Sequence, residues 1–418
     1  MTHIFRALRH RNYRLFFGGQ SISLIGTWMQ QIAMSWLVYR LTNSAFLLGT
    51  VVFFGQIPAL ILMPFAGVIA DRHNRRNILL ITQILAMLQA FVLSALVLTG
   101  SIEVWQIIAL SMFLGLVNSF DMPVRQAFTV EMIGNREDLS NAIALNSSMV
   151  NAARLIGPSI AGVVIAAVGE GMCFLINAVS YIAVLFSLSA MRIEKKKAGV
   201  IHPHVLRGLK EGFVYAFNFT PIKYILILLG LVSLAGMPYQ VLMPVFAKDI
   251  FHGGPKTLGF LMAMAGIGAL VGAIYLAGRR SVIGLTKIIA LTSGIFGLGL
   301  VIFSQSRVLW FSMFVICLSG FAMMVQMAAS NTILQTIVDE GMRGRVMSFY
   351  TMSFIGMAPF GGLLAGILAG TIGAPGTLLS GGICCIIGAA VFAGKLPFLK
   401  REMHPVYVKK GIVPEIVN

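Results

Sequence analysis

Charge is scarce in this chain. Asp, Glu, Lys and Arg together make up 11% of its 418 residues, whereas a soluble domain carries about a quarter. That shortage excludes an ordinary water-soluble globule. The four cysteines, Cys173, Cys317, Cys384 and Cys385, lie in apolar stretches without CxxC or His spacing, which excludes a disulfide framework and a zinc ribbon. The seven histidines, His3, His10, His73, His202, His204, His252 and His404, fall in predicted loops or termini. A membrane acyltransferase or protease needs spaced His, Ser, Asp or metal ligands facing one cavity, so the chain is not expected to be an enzyme. Short segments of alternating polarity are missing as well, which excludes an outer-membrane barrel. Residues 1–17 form a basic amphipathic stretch and not the charged, apolar and small-residue tripartite pattern of a cleaved signal.

What is present is apolar length. Hydrophobic residues make up 58% of the chain and the mean hydropathy is +0.89. The apolar runs are rich in Leu, Ile, Ala, Met and Gly, and each is long enough for a bilayer-spanning helix of roughly 20 residues. Six runs precede a hydrophilic break and six follow it. The expected organisation is therefore an all-α membrane protein of twelve transmembrane helices in two six-helix bundles. The N-terminal bundle covers 1–190, a linker 191–221, the C-terminal bundle 222–396 and a tail 397–418. Within the linker, Val205, Leu206, Leu209, Phe213 and Phe217 recur at helical spacing, the pattern of an amphipathic helix on a membrane surface.

The net charge of +17 would suggest nucleic acid in a soluble protein, but its distribution is better explained by orientation. If the N-terminus is cytoplasmic, 26 of the 31 Lys and Arg fall on that side. The far side receives Arg40, Lys248, Lys256 and Arg307, and Arg154 remains inside a span. The positive-inside rule then places both termini in the cytoplasm, with the lipid bilayer and not nucleic acid as partner.

The two halves carry a weak repeat at an offset of about 208. Asp71–Arg76 after the second run matches Arg279 and Arg280, Val130-Glu131 matches Val338-Asp339, and Pro158 with Gly162 matches Pro359 with Gly362 or Leu363 at a slightly smaller offset. Six runs per half keep the halves parallel, which implies a pathway between them.

Several segments offer chemistry. The loop after the second run reads Gly67-Val-Ile-Ala-Asp71-Arg72-His73-Asn74-Arg75-Arg76. Gly67 permits close helix approach, Asp71 is a fixed anion suited to a helix N-terminus, and Arg72, Arg75 and Arg76 can pair with acids. Such a cluster can lock a cytoplasmic gate, or serve simply as a positive loop. The fifth run contains Gly157-Pro158, which strips a helix face and frees a carbonyl, making a pliable contact. Arg154, deep in that run, costs roughly 2.5 to 3.5 kcal/mol even on the lenient insertion scale. It therefore needs a partner or a wet cavity. Asp121 in the fourth run lies at nearly the same depth and is its expected partner, as a static brace or as a coupling element, with Asn118, Arg125, Asn146 and Asn151 as polar neighbours. Asp121 leads the proton-carrier candidates and Glu131 is next.

Polar stripes outline a possible cavity wall. Gln20, Ser23, Thr27, Gln31 and Ser35 recur every three or four residues in the first run, a face lipid disfavours. Tyr239 and Gln240 in the seventh run, and Gln326 and Asn331 in the tenth, add polar groups, while Met237, Met323, Met324 and Met327 add adaptable apolar contacts. Each of these residues could instead be a packing group.

The loop motif resembles the signature between spans 2 and 3 of the major facilitator superfamily, with Asn74 where a second Gly is usual. The similarity extends to Asn12-Tyr13-Arg14-Leu15-Phe16, Asp121-Met122-Pro123-Val124-Arg125-Gln126-Ala127-Phe128, Asn141–Ser147, Ala153–Pro158 and Arg343-Gly344-Arg345-Val346. Together these look like the enterobactin-exporter-like, or transmembrane secretion effector, branch. The Gly-Pro pair resembles the antiporter motif of its exporters. The resemblance implies the major facilitator fold and export across the bacterial cytoplasmic (inner) membrane by a monomer. It implies a small-molecule substrate, foremost a siderophore, moved by alternating access, with a proton gradient as the energy source and no bound cofactor. Multidrug efflux, lysophospholipid or metabolite transport, and a transporter-like sensor or secretion partner remain the alternatives.

Overall fold

The computed structural model describes the backbone over residues 5–133, 138–192, 205–279 and 281–413, and side chains there except within 63–72 and 205–210. Every regular element among the described residues is helical. The first six long helices are α1 (Arg11–Thr42), α2 (Ala45–Arg72), α3 (Arg75–Leu98), α4 (Val104–Met132), α5 (Leu139–Val168) and α6 (Glu170–Ala190). After the short α7 (Val205–Asn218) come α8 (Thr220–Leu231), α9 (Tyr239–Val245), α10 (Pro255–Ala277), α11 (Leu285–Gln305) and α12 (Leu309–Ile337). The chain ends with α13 (Glu340–Thr351), α14 (Ala358–Gly394) and α15 (Leu396–Lys409). Wider π turns at Val232–Gly236, Phe246–Ile250 and Met352–Gly356 interrupt the helical path, and such turns are frequent at functional sites.

Ten described stretches are long and apolar enough to cross a membrane, the last being Glu340–Gly394 with 55 residues. That stretch contains Gly373 at φ 74, a left-handed kink that divides it into two crossings. The 32-residue α1 lies outside the ten because its glutamines and arginines lower its hydropathy. With α1 counted and the last stretch divided, the described residues make twelve crossings. It is a multi-pass membrane protein.

Two compact units emerge, Met1–Ile201 with Val241–Ala263, and His202–Gln240 with Met264–Asn418. Inside each, small residues set the helix crossings, as expected where lipid removes the hydrophobic drive between helices and close backbone packing replaces it. In the first unit a Cβ on Gly115 of α4 would fall on the carbonyl oxygen of Gly55 in α2, and Gly26 of α1 seats Asn177 of α6. In the second unit Gly320 of α12 meets the Ala265 carbonyl of α10 in the same way, and Gly297 of α11 meets Gly382 of α14.

The amphipathic linker segment is helical as α7, with Phe213 stacked on Phe217 at 4.3 Å between centroids and edge-on to Phe349 of α13 at 6.0 Å. The tail continues as α15, which buries Leu399 and Met403. Lys410, just beyond it, donates to the Thr336 and Val338 carbonyls at 2.6 and 3.1 Å, supplying donors for the bare C-terminal end of α12.

Candidate functional site

The first unit is polar at its core. Helix α4 starts at a capping box between Glu103 and Gln106 and carries Asp121 inward, 1% exposed. Two residues on, Pro123 leaves the Ser119 carbonyl without its usual helical donor, though α4 runs on unbroken. The Asp121 carboxylate accepts from Thr82 Oγ1 at 2.9 Å and Gln83 Nε2 at 2.7 Å, both on α3. It also accepts from Arg125 Nη2, one turn along α4. Burying a carboxylate this deep is costly unless it is paired and hydrogen-bonded, and Arg125, Thr82 and Gln83 supply both.

The polar set continues across three more helical contacts. Tyr181 of α6 lies beside Arg125, Thr27 and Asn177. Asn177 Nδ2 donates to Gln30 Oε1 at 2.7 Å, Gln30 Nε2 donates to Gln89 Oε1 at 3.1 Å, and Gln89 Nε2 reaches the Leu110 carbonyl at 3.4 Å. Buried amides and one ion pair therefore link α1, α3, α4 and α6. Two groups beside the pair, Gln83 Oε1 and Arg125 Nε, have no hydrogen-bond partner among the described residues.

Thr82, Gln83, Gln89, Gln30, Asn177 and Tyr181 were not anticipated from sequence. The available signal was the seven-residue spacing of Thr82 and Gln89 in an apolar run, which puts both on one helical face.

Asp121 is not the partner of Arg154, contrary to expectation: its bonding positions are taken by its own helix and by α3. Arg154 instead lies over the Trp28 ring of α1, 5.7 Å from its centroid. Gly157, one turn further along α5, makes room, since a Cβ there would lie 2.5 Å from Trp28 Cβ. Helix α5 continues through Pro158, whose carbonyl oxygen lies close to Gly259 at the start of α10, beside the Gly162 contact.

The remaining anticipated residues divide. Arg75 Nη1 pairs with Glu131 Oε1 at 2.8 Å. Arg76 donates to the Leu188 and Ser189 carbonyls at 2.6 and 2.8 Å, at the C-terminal end of α6. Both arginines thus pin helices within the first unit. Gly67, Asp71 and Arg72 fall among residues whose side chains lie outside the described set. Asn146 receives the Tyr13 hydroxyl at 2.9 Å and donates to Thr129 at 3.4 Å, while Asn151 Nδ2 bonds the Ser147 carbonyl at 2.9 Å. Asn118 is half-buried.

Of the α1 stripe, Gln20 and Ser23 are buried, while Thr27 and Gln31 are exposed. In the second unit Tyr239 is buried against Phe296, with Gln240 Nε2 donating to its hydroxyl at 3.2 Å. Asn331 accepts from Gln335. Gln326 is 0% exposed, and neither of its amide atoms has a partner among the described residues. Tyr239 and Gln326 therefore open on no cavity in this structure.

At the opposite end of the first unit, Arg40 Nε pairs with Glu170 Oε1 at 2.7 Å. Tyr39 donates to Asp249, and Lys248 reaches Asn43 while lying 5.5 Å from the Tyr39 ring centroid. These contacts hold the Val241–Ala263 segment on the first unit.

Paired helical halves with matching small-residue crossings and a polar core inside a hydrocarbon-length bundle define a major facilitator transporter. The fold agrees with solved structures. A bacterial homologue of the human lysosomal transporter Spinster matches with a TM-score of 0.71 at 13% identity, over 95% of this chain and 98% of that one. A bacterial homologue of the iron transporter ferroportin matches with a TM-score of 0.70 at 18% identity, over 93% and 98%. The chain belongs to the transmembrane secretion effector family, whose sequence profile matches residues 2–410. It is 28% identical to the staphyloferrin A transporter of Staphylococcus aureus, over 93% of this chain and 96% of that protein. To the multidrug efflux pump Tap of Mycolicibacterium fortuitum it is 26% identical, over 84% and 87%. To the enterobactin exporter EntS of Shigella boydii it is 26% identical, over 85% of each. Its relatives are transporters and not enzymes.

Proposed function

We propose that this transporter is a proton-driven exporter in the bacterial cytoplasmic membrane, with both termini cytoplasmic. It acts as a monomer without a bound cofactor and moves a siderophore or a similarly bulky amphipathic small molecule. Alternating access, with the six-helix halves rocking, exposes the solute first to one side and then to the other.

The observation that carries the proposal is the Asp121 carboxylate, buried at 1% exposure and held by Arg125, Thr82 and Gln83. Protonating it in place would leave the Arg125 cation unpaired in a low-dielectric core, a costly state. The pair therefore stays ionised until the surroundings change, and a proton on Asp121 frees Arg125 for another partner or for water. Such a switch couples a proton to a conformation, provided the two protonation states prefer different arrangements. The siderophore assignment is supported by the relatives named for staphyloferrin A and enterobactin. Multidrug efflux is the second reading, favoured by the similarity to the pump Tap.

Reconstitution in proteoliposomes with an imposed pH gradient tests both. Labelled siderophore should move against its own gradient when protons flow the other way, and Asp121→Asn should abolish the proton dependence. Movement of a cationic dye but not of siderophore would select efflux. Proton-driven flux that survives Asp121→Asn would remove Asp121 as carrier.

A further inference from the structure

Arg154 stands midway along α5, about 15 residues from one end and 14 from the other, or roughly 21 to 23 Å from each. A guanidinium at that depth in a spanning helix requires a counter-charge or water. Among the described residues it makes no ion pair and no hydrogen bond. Its contact is the Trp28 ring, 5.7 Å away, which orients the cation but satisfies none of its five N–H donors.

Every described acid of the first unit is engaged elsewhere. Asp121 holds Arg125, Glu131 holds Arg75, Glu170 holds Arg40, and Asp138 faces Arg6 and His10. Asp249 receives Tyr39, and Glu103 receives Trp105. The buried Asp121–Arg125 pair carries no net charge, so among the described residues at this depth Arg154 is the unbalanced charge.

The surroundings of Arg154 are not lipid-like. On α1, Thr27 precedes Trp28 and Gln31 follows it by one turn, and both side chains are exposed. On α5, Asn151 is half-buried one turn before Arg154. Amide and guanidinium groups left uncovered at mid-span are costly against hydrocarbon and far less so against water.

We propose that Arg154, held flat by Trp28, is an anion-binding site on the transport pathway, taking a carboxylate or phenolate of the solute. This rests on the transport proposal above and goes beyond it by fixing the charge of the preferred substrate. The bidentate fork of arginine suits a carboxylate or the adjacent oxygens of a catecholate. Gly157 is a positioning residue, because its missing side chain is what lets Trp28 lie beneath the guanidinium.

Equilibrium binding to the purified full-length transporter tests the site without requiring flux, so failure of proton-driven export would leave the result readable. The probes are citrate, 2,3-dihydroxybenzoate, the trimethyl ester of citrate and ethidium. Wild type should bind at least one anionic probe, and the citrate ester at least tenfold more weakly than citrate. Arg154→Gln should lose at least tenfold in affinity for the anion, Arg154→Lys less, and Trp28→Leu should weaken the anion with no effect on the ester. Equal binding of citrate and its ester by wild type, or binding of neither anion, would overturn the site even if every variant failed to fold. So would anion affinity within twofold of wild type in an Arg154→Gln protein of unchanged melting temperature.

Discussion

The guanidinium of Arg125 closes on the carboxylate of Asp121 one turn back along the same helix, inside a bundle otherwise built for hydrocarbon. The pair is intrahelical, so it survives any rigid movement of α4, while the bonds from Thr82 and Gln83 depend on where α3 stands. A shift of α3 against α4 would strip the Thr82 and Gln83 donors from the carboxylate. The surroundings of Asp121 are therefore expected to depend on the α3–α4 contact as much as on the charges.

Removing one member of this pair leaves the other charge buried alone. Asp121→Ala and Arg125→Ala should each lower the stability of the detergent-solubilised protein by about 3 to 5 kcal/mol. Replacing both together by apolar residues of similar volume should cost far less than the sum. Thermal unfolding of the two single variants and the double variant measures the difference.

Arg76 acts as a cap. Its two hydrogen bonds satisfy carbonyls at the C-terminal end of α6, so Arg76→Gln should destabilise by about 1.5 to 3 kcal/mol, the range for hydrogen bonds to charged groups. Amide hydrogen exchange should rise first in the last turn of α6. Unchanged exchange there would show that the carbonyls have other donors.

The α2–α4 crossing is decided by backbone. Gly115→Val would drive a side chain into the Gly55 carbonyl, and backbone cannot yield as a flexible side chain does. This variant should express as misfolded or aggregated protein. Gly18→Ala, which meets nothing within 4 Å, should be neutral or stabilise the helix by about 0.5 to 1 kcal/mol. Size-exclusion profiles of the two variants make the comparison.

Gln326 carries an unmet cost. Both of its amide atoms are buried without partners among the described residues, and each such group costs about 1 to 3 kcal/mol. Gln326→Leu, close in shape and free of polar atoms, should therefore raise the melting temperature. If transport falls in the same variant, the amide is serving the solute and not the fold.

Much of the architecture could be read along the chain. Apolar runs of bilayer length, split six and six around a basic linker, follow from the cost of putting charge or open backbone into hydrocarbon, and that cost acts on each segment separately. The same logic exposed Asp121 and Arg154 as exceptions. It failed in pairing them, because depth along two helices says nothing about rotation around them. Asp121 turned out to point toward α3 and its own next turn, and Arg154 toward α1.

The loop motif shows the same boundary. Arg75 and Arg76 were visible as a basic cluster, but their work as a bridge to Glu131 and a cap on α6 depends on residues 56 and 112 to 113 positions away. The Asn177–Gln30–Gln89 chain was missed for a related reason: a single glutamine in an apolar run looks like a tolerated impurity until three helices bring their amides together.

Composition and run length dictated that this chain lives in a bilayer as two helical halves, because hydrocarbon judges every twenty-residue segment on its own. Which polar groups meet was settled by the crossings at Gly55, Gly115, Gly26 and Gly157, where missing side chains let backbones approach and set each helix's rotation. Those contacts join residues far apart in the chain, and no local pattern encodes them.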